Sequence, residues 1–157
     1  MELPELLTKD FTGKNVVIIG CAASGKTWLA NMLGELHPDH MIIRSDDYMS
    51  HGFEQSLYAM MDDIAANQET PCIIEGVLGY RLLRKGVELG TFYPSVVIEM
   101  LITDQRMEKT YNELRDPAKL KGALSQKKAN ATVLDKYLTM IEDTSFKPEW
   151  IQIHNNY

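Results

Sequence analysis

The segment "GCAASGKT", residues 20 to 27, follows directly on the apolar run "NVVII" and opens a stretch with helical spacing. Gly20, Gly25, Lys26 and Thr27 fit the pattern GxxxxGK[ST], with a strand before it and a helix after it, the setting that gives the pattern structural meaning. Glycines at these offsets let the backbone wrap closely around a phosphate, so that consecutive N–H groups and the helix N-terminus face the anion. Lys26 is then placed to reach the β- and γ-phosphates of a nucleotide, and the Thr27 hydroxyl to take a position on Mg²⁺. Gly20, Ala23, Ser24, Gly25, Lys26, Thr27 and Trp28 form the run expected to touch the nucleotide. A strand turning into a helix through small residues would account for Ala22, Ala23 and Ser24, but not for Lys26-Thr27 at this spacing.

Other groups able to do chemistry stand at the ends of apolar runs. Ser45-Asp46-Asp47-Tyr48 follows "HMIIR", and Glu75-Gly76 follows "PCII". An acid inside the run "CIIEGV" is costly to bury unpaired and calls for a cation, a set of hydrogen bonds or the waters of a metal ion. The alternative for Glu75 is a sheet-end carboxylate satisfied by backbone N–H groups.

The elements that must position these groups alternate. Strand-length apolar runs are "NVVIIG" (15 to 20), "HMIIRS" (40 to 45), "PCIIEGV" (71 to 77), "PSVVIEMLI" (94 to 102) and "EWIQIH" (149 to 154). Most are too continuously apolar for a half-exposed sheet and read as buried on both faces. Between them lie stretches whose apolar positions recur at three and four, as in Leu57, Met60, Met61 and Ile64. The alternation predicts an α/β fold, a five-stranded parallel sheet with helices on both faces, in one domain spanning residues 1 to 157. Residues 1 to 14 read as a polar lead-in with a little amphipathic helix. In open parallel sheets ligands bind outside the carboxyl ends of the strands, where Lys26, Asp46 and Glu75 all fall.

Composition narrows the function classes. Sixteen basic against 22 acidic residues leave a net charge of -6, which disfavours nucleic acid or an anionic membrane as a partner of the whole chain. The two cysteines, Cys21 and Cys72, are too few for a disulfide framework and lack metal-ligand spacing, so a reduced, cytoplasmic chain is the plain reading. They are expected at opposite ends of the sheet and unpaired, with Cys21 open to alkylation beside the phosphates. No apolar run approaches the ~18 residues of a membrane span. The four histidines are scattered; only His51 follows the acidic pair closely enough to face an acceptor, and a surface loop is the plainer reading. Tyr48 and Phe53 suit either stacking on a ring or core packing.

A phosphate loop serves kinases, GTPases, motors and switches alike. No [NT]KxD stretch for reading guanine occurs, and "CIIEG" ends in one Glu rather than the Asp-Glu or Asp-Asp of many larger ATPases. Small size and these missing parts favour a phosphotransferase. "IIRSDDYMS" resembles the segment after the second strand of uridine kinases and nicotinamide riboside kinases, "IIEGVLGY" the Glu-Gly stretch on their third strand, "DQRMEKTYNELRD" the helix leading into their lid, and "PEWIQIHNN" their closing strand with its following Asn. The resemblance implies a P-loop kinase core of strand order 2-3-1-4-5, with ATP and Mg²⁺ as cofactors. It implies Asp46 as the carboxylate that contacts the acceptor hydroxyl and takes its proton, with Asp47 as the neighbour that exchanges roles if the register shifts by one. The other reading of the pair is a helix N-cap. It also implies Glu75 near the metal, together with Thr27 and Asp46, and Arg115 at the start of a short lid at about residues 115 to 124. After Arg115-Asp116 the chain continues "PAKLKGALSQKK", with lysines where the family carries arginines, so that Arg106, Arg81, Arg84, Lys119 or Lys121 can substitute in the clamp.

The expected function is therefore transfer of the γ-phosphate of ATP to a hydroxyl of a small nucleoside-like or polar metabolite. The alternatives are a nucleotide-dependent switch without an acceptor, and a kinase acting on a polynucleotide or a modified base.

Overall fold

The computed structural model describes residues 1–49 and 52–155. Five strands form one parallel sheet in the order β2-β3-β1-β4-β5, as the sequence led one to expect. They are β1 (Val16–Gly20), β2 (Met41–Arg44), β3 (Cys72–Glu75), β4 (Val96–Leu101) and β5 (Glu149–His154). The helices are α1 (Leu3–Leu7), α2 (Lys26–Leu36), α3 (Phe53–Ala66), α4 (Gly79–Leu89), α5 (Asp104–Leu114) and α6 (Leu120–Ile141), with short 3-10 turns at Ser45–Tyr48 and Pro117–Lys119.

The central strands are mainly apolar because both of their faces are covered, their acids being Glu75 at the end of β3 and Glu99 in β4. In β1, Val17 and Ile19 join Ile74, Leu78, Leu82 and Tyr137 in one core layer, whereas Val16 and Ile18 join Leu29, Leu33 and Ile98 in the other. The twofold alternation of a strand divides four consecutive apolar residues between two layers. The strands at the sheet's edges depart from the expectation of two buried faces. In β5 only Ile151 and Ile153 are buried, and in β2 only Ile43.

The N-terminal lead-in is less polar in effect than its sequence suggests. Leu6 and Phe11 are both essentially inaccessible and belong to the layer beneath α2, and the Met1 ammonium donates to the Gln152 carbonyl oxygen at 3.3 Å. The candidate lid segment comprises Arg115, Asp116, the 3-10 turn and the first residues of α6. The Asp116 side chain caps that turn by accepting from the Ala118 N–H at 3.0 Å, and α6 then runs for 22 residues.

Candidate active site

At the end of β1 the chain turns through Cys21 to Gly25 into α2. Gly25 (φ 96°) and Ala23 (φ 67°) both take the left-handed conformation, which strains a residue bearing a Cβ. A Cβ on Gly20 would overlap Ser24 Oγ and press on the Met100 carbonyl oxygen at 3.0 Å, so close packing against β4 demands glycine there. The loop is braced from just beyond β5, where the Asn155 side-chain amide donates to the Ser24 carbonyl oxygen at 3.1 Å. Ser24 is fully buried and its hydroxyl has no hydrogen-bond partner among the described residues.

Lys26 is 8% exposed and folds back so that Nζ donates to the Cys21 carbonyl oxygen at 2.8 Å. Burial lowers its pKa, opposed by the negative charges of Glu75 and Asp46. Thr27 and Glu75 converge as expected: Thr27 Oγ1 donates to Glu75 Oε2 at 3.4 Å. Glu75 is 3% exposed, and burial pushes its pKa up, with Lys26 and Arg44 acting in the opposite direction.

Arg44 was not singled out in the sequence. It sits beside Glu75 in the β2–β3 register, its guanidinium is 3.7 Å from Glu75 Oε1, and it also donates to Asn31 Oδ1 on α2. The signal was present: in a sheet of order 2-3-1, the last residues of the second and third strands adjoin, and they are an arginine and a glutamate.

Asp46 stands in the turn after β2. That turn packs against Gly76, whose φ of 124° and missing side chain are both required, because a Cβ there would overlap Ser45 Oγ and come within 2.9 Å of Ser45 Cβ. Asp46, Glu75, Gly76, Arg115 and the loop from Ala22 to Trp28 line a single cleft of about 400 Å³, and Asp47 is not part of its wall. Arg115 reaches the cleft from the end of α5, its guanidinium 5.6 Å from the Tyr111 ring.

Other basic candidates lie elsewhere. Arg81 rests over the Phe53 ring at 4.7 Å, and Arg84 pairs with Glu88 one turn along α4 at 3.4 Å, while Lys119 and Lys121 do not line the cleft. The Tyr48 hydroxyl donates to Asp63 on α3, and burial, helped by that bond, raises its pKa to about 12. Tyr48 is thereby anchored to α3. His51 lies outside the described residues.

The fit to a metal can be judged from these donors. No group of three or more His, Cys, Asp and Glu side chains able to hold an ion occurs among the described residues. A hydroxyl with one or two carboxylates, as in Thr27, Glu75 and Asp46, suits Mg²⁺, which is usually held by few protein oxygens and completed by phosphates and water.

No family model matches the sequence, and no curated protein matches it. Solved structures do. A gluconokinase from Sinorhizobium meliloti 1021 aligns with a TM-score of 0.54 at 13% identity, over 85% of this chain and 94% of that one. A shikimate kinase from Acinetobacter baumannii, in complex with shikimate, aligns with a TM-score of 0.55 at 13% identity, over 94% and 86% of the two chains. The fold is that of the P-loop kinases. A thymidylate kinase from Candida albicans also aligns, with a TM-score of 0.51 at 11% identity, over 90% and 83% of the chains. The P-loop kinase fold and its strand order thus agree with the sequence expectation, while the likeness extends across this fold rather than to uridine or nicotinamide riboside kinases in particular.

Proposed function

We propose that the protein is an ATP-dependent kinase that transfers the γ-phosphate to a hydroxyl of a small, polar or nucleoside-like metabolite. The observation that carries this reading is the meeting, in one cleft of about 400 Å³, of the glycine loop with Asp46, Glu75 and Arg115. All three similar structures reported above are kinases by their names, which agrees with phosphoryl transfer.

Loop N–H groups and the N-terminus of α2 hold the β- and γ-phosphates. Lys26 exchanges its contact with the Cys21 carbonyl for the phosphate oxygens, a trade that restores full charge pairing to a buried ammonium. Magnesium arriving with the nucleotide supplies charge neutralisation at the phosphates, and Thr27 and Glu75 are the residues that would hold it. Asp46 orients the acceptor hydroxyl and accepts its proton as the new P–O bond forms. Arg115 faces the charge that develops on the transferred group.

The test is ADP release with Mg-ATP across nucleosides, nicotinamide riboside, small sugars, polyhydroxy acids and a 5'-hydroxyl oligonucleotide. Asp46→Asn is expected to lower acceptor-dependent release by about 10²- to 10⁴-fold, in line with the loss of a positioned base. The thermal shift produced by ATP should persist in that variant. Transfer at the parental rate in Asp46→Asn would overturn the assignment of the base.

A further inference from the structure

The two carboxylate oxygens of Glu75 have different neighbours. Oε2 accepts from the Thr27 hydroxyl at 3.4 Å, in the wall of the phosphate cleft, whereas Oε1 lies 3.7 Å from Nη1 of Arg44, a residue that is not part of that wall. We propose that Arg44 is a positioning residue for the metal that accompanies the nucleotide: from outside the cleft it holds Glu75 by Oε1, so that Oε2 stays beside Thr27 and free for the metal. This rests on the phosphate-site reading given above.

The backbone sets the pair side by side. Arg44 and Glu75 end their strands and are partners in the β2–β3 register, and the alternation of β3 turns Glu75 to the same face as Ile73, the face packed against α2. The guanidinium is then fastened from that helix: Arg44 Nη2 donates to Asn31 Oδ1, and Asn31 lies on α2 five residues beyond Lys26. A guanidinium is a planar fork of donors, so anchoring one nitrogen on Asn31 fixes where the other points. That other nitrogen, Nη1, is buried and has no hydrogen-bond partner among the described residues. Its charge is answered by the Glu75 carboxylate in front of it.

Lys26 cannot serve in this way once nucleotide is bound, because its ammonium then turns to the phosphate oxygens. Arg44 stands outside the cleft and keeps its contact. The Asn31–Arg44–Glu75 chain therefore ties the acid of β3 to the helix that carries Lys26 and Thr27, and so fixes the metal's protein oxygens relative to the phosphate loop. Groups that orient a metal ligand in this manner govern metal affinity without touching the ion.

The test uses Mn²⁺ as the probe metal and ADP as the nucleotide. With protein in excess, so that the ADP is bound, Mn²⁺ is titrated and the free ion is read by electron paramagnetic resonance; ADP binding in EDTA is measured in parallel by calorimetry. Arg44→Gln should raise the half-saturating Mn²⁺ concentration by about 10- to 100-fold, the range for loss of a group that orients a metal ligand. Its binding of ADP in EDTA should stay close to the parent's. Arg44→Lys, which keeps the charge but loses the fork, should recover part of the metal affinity. Asn31→Ala removes the anchor and leaves the charge, so it should shift Mn²⁺ in the same direction by less, and it carries the test if urea unfolding shows that Arg44→Gln does not fold. Half-saturation at or below the parent's concentration in the folded variant would overturn the proposal. So would an equal loss of ADP binding with and without metal, the mark of a merely structural role. Failure of the parent itself to bind ADP would overturn the phosphate-site reading beneath it.

Discussion

Gly76 shows how one residue positions others. Ser45 fills the space its Cβ would need, and its φ of 124° is one that L side chains rarely adopt. Gly76→Ala must therefore push the turn bearing Asp46 away from Glu75. Its expected cost is about 1–3 kcal/mol, from overpacking together with backbone strain. Urea unfolding of the nucleotide-free protein measures the cost, and phosphoryl transfer should fall further than nucleotide affinity, since the displaced group is the proposed base. In the sequence Gly76 reads only as the residue that follows Glu75 at a strand end; the identity of its neighbour comes from tertiary packing. Cys21 is a second case. Its place in the phosphate loop suggested an accessible thiol, but the structure leaves it 6% exposed, donating to Met107 Sδ at 3.7 Å. Burial raises its pKa, so little reactive thiolate forms.

Among the elements, α6 joins the segment after Arg115 to the sheet. Its Lys127 Nζ donates to the Ile102 carbonyl oxygen at 2.8 Å and to Asp104 Oδ1 at 2.6 Å, tying the helix to the end of β4 and the start of α5. Because the ion pair is substantially exposed, Lys127→Ala should cost only about 1 kcal/mol or less. Its more telling effect belongs to dynamics: amide exchange should quicken in the first turns of α5 and α6, with the exchange of β1 and β3 unchanged. Uniform exchange in both regions would contradict a tether of this kind. The run of lysines from Lys119 to Lys128 is legible in the sequence, but which lysine bonds to what is not, because that depends on the angle at which α6 crosses the sheet.

At the scale of the molecule, the site stores electrostatic strain. Glu75 is held above its usual value near 4.5 chiefly by burial, so between that pH and its folded value the native chain binds more protons than the unfolded chain. Stability of the nucleotide-free protein therefore falls as pH rises through that window. Lys26 is held below its usual 10.5, so the native chain binds fewer protons between its folded value and 10.5, and its stabilising contribution returns only as pH climbs through that range. Near neutrality both groups work against folding. Glu75→Gln should gain stability relative to the parent as pH rises from about 4.5, read as a widening gap between urea midpoints. A gap independent of pH would show that Glu75 does not titrate as its burial requires.

The sequence by itself determined the phosphate loop, the five-stranded α/β plan and the strand ends at which Lys26, Asp46 and Glu75 stand. These are local features: a motif spaced along a few residues, and apolar runs whose period and length set the type of each element. Only the tertiary structure decided that Asp46 and not Asp47 lines the cleft, that Ser45 packs into the space beside Gly76, and that Leu6 and Phe11 of the lead-in enter the core. Each of these depends on residues far apart in the chain being brought together across neighbouring strands or helices. Such contacts follow from sheet register and packing, which no short stretch of sequence encodes.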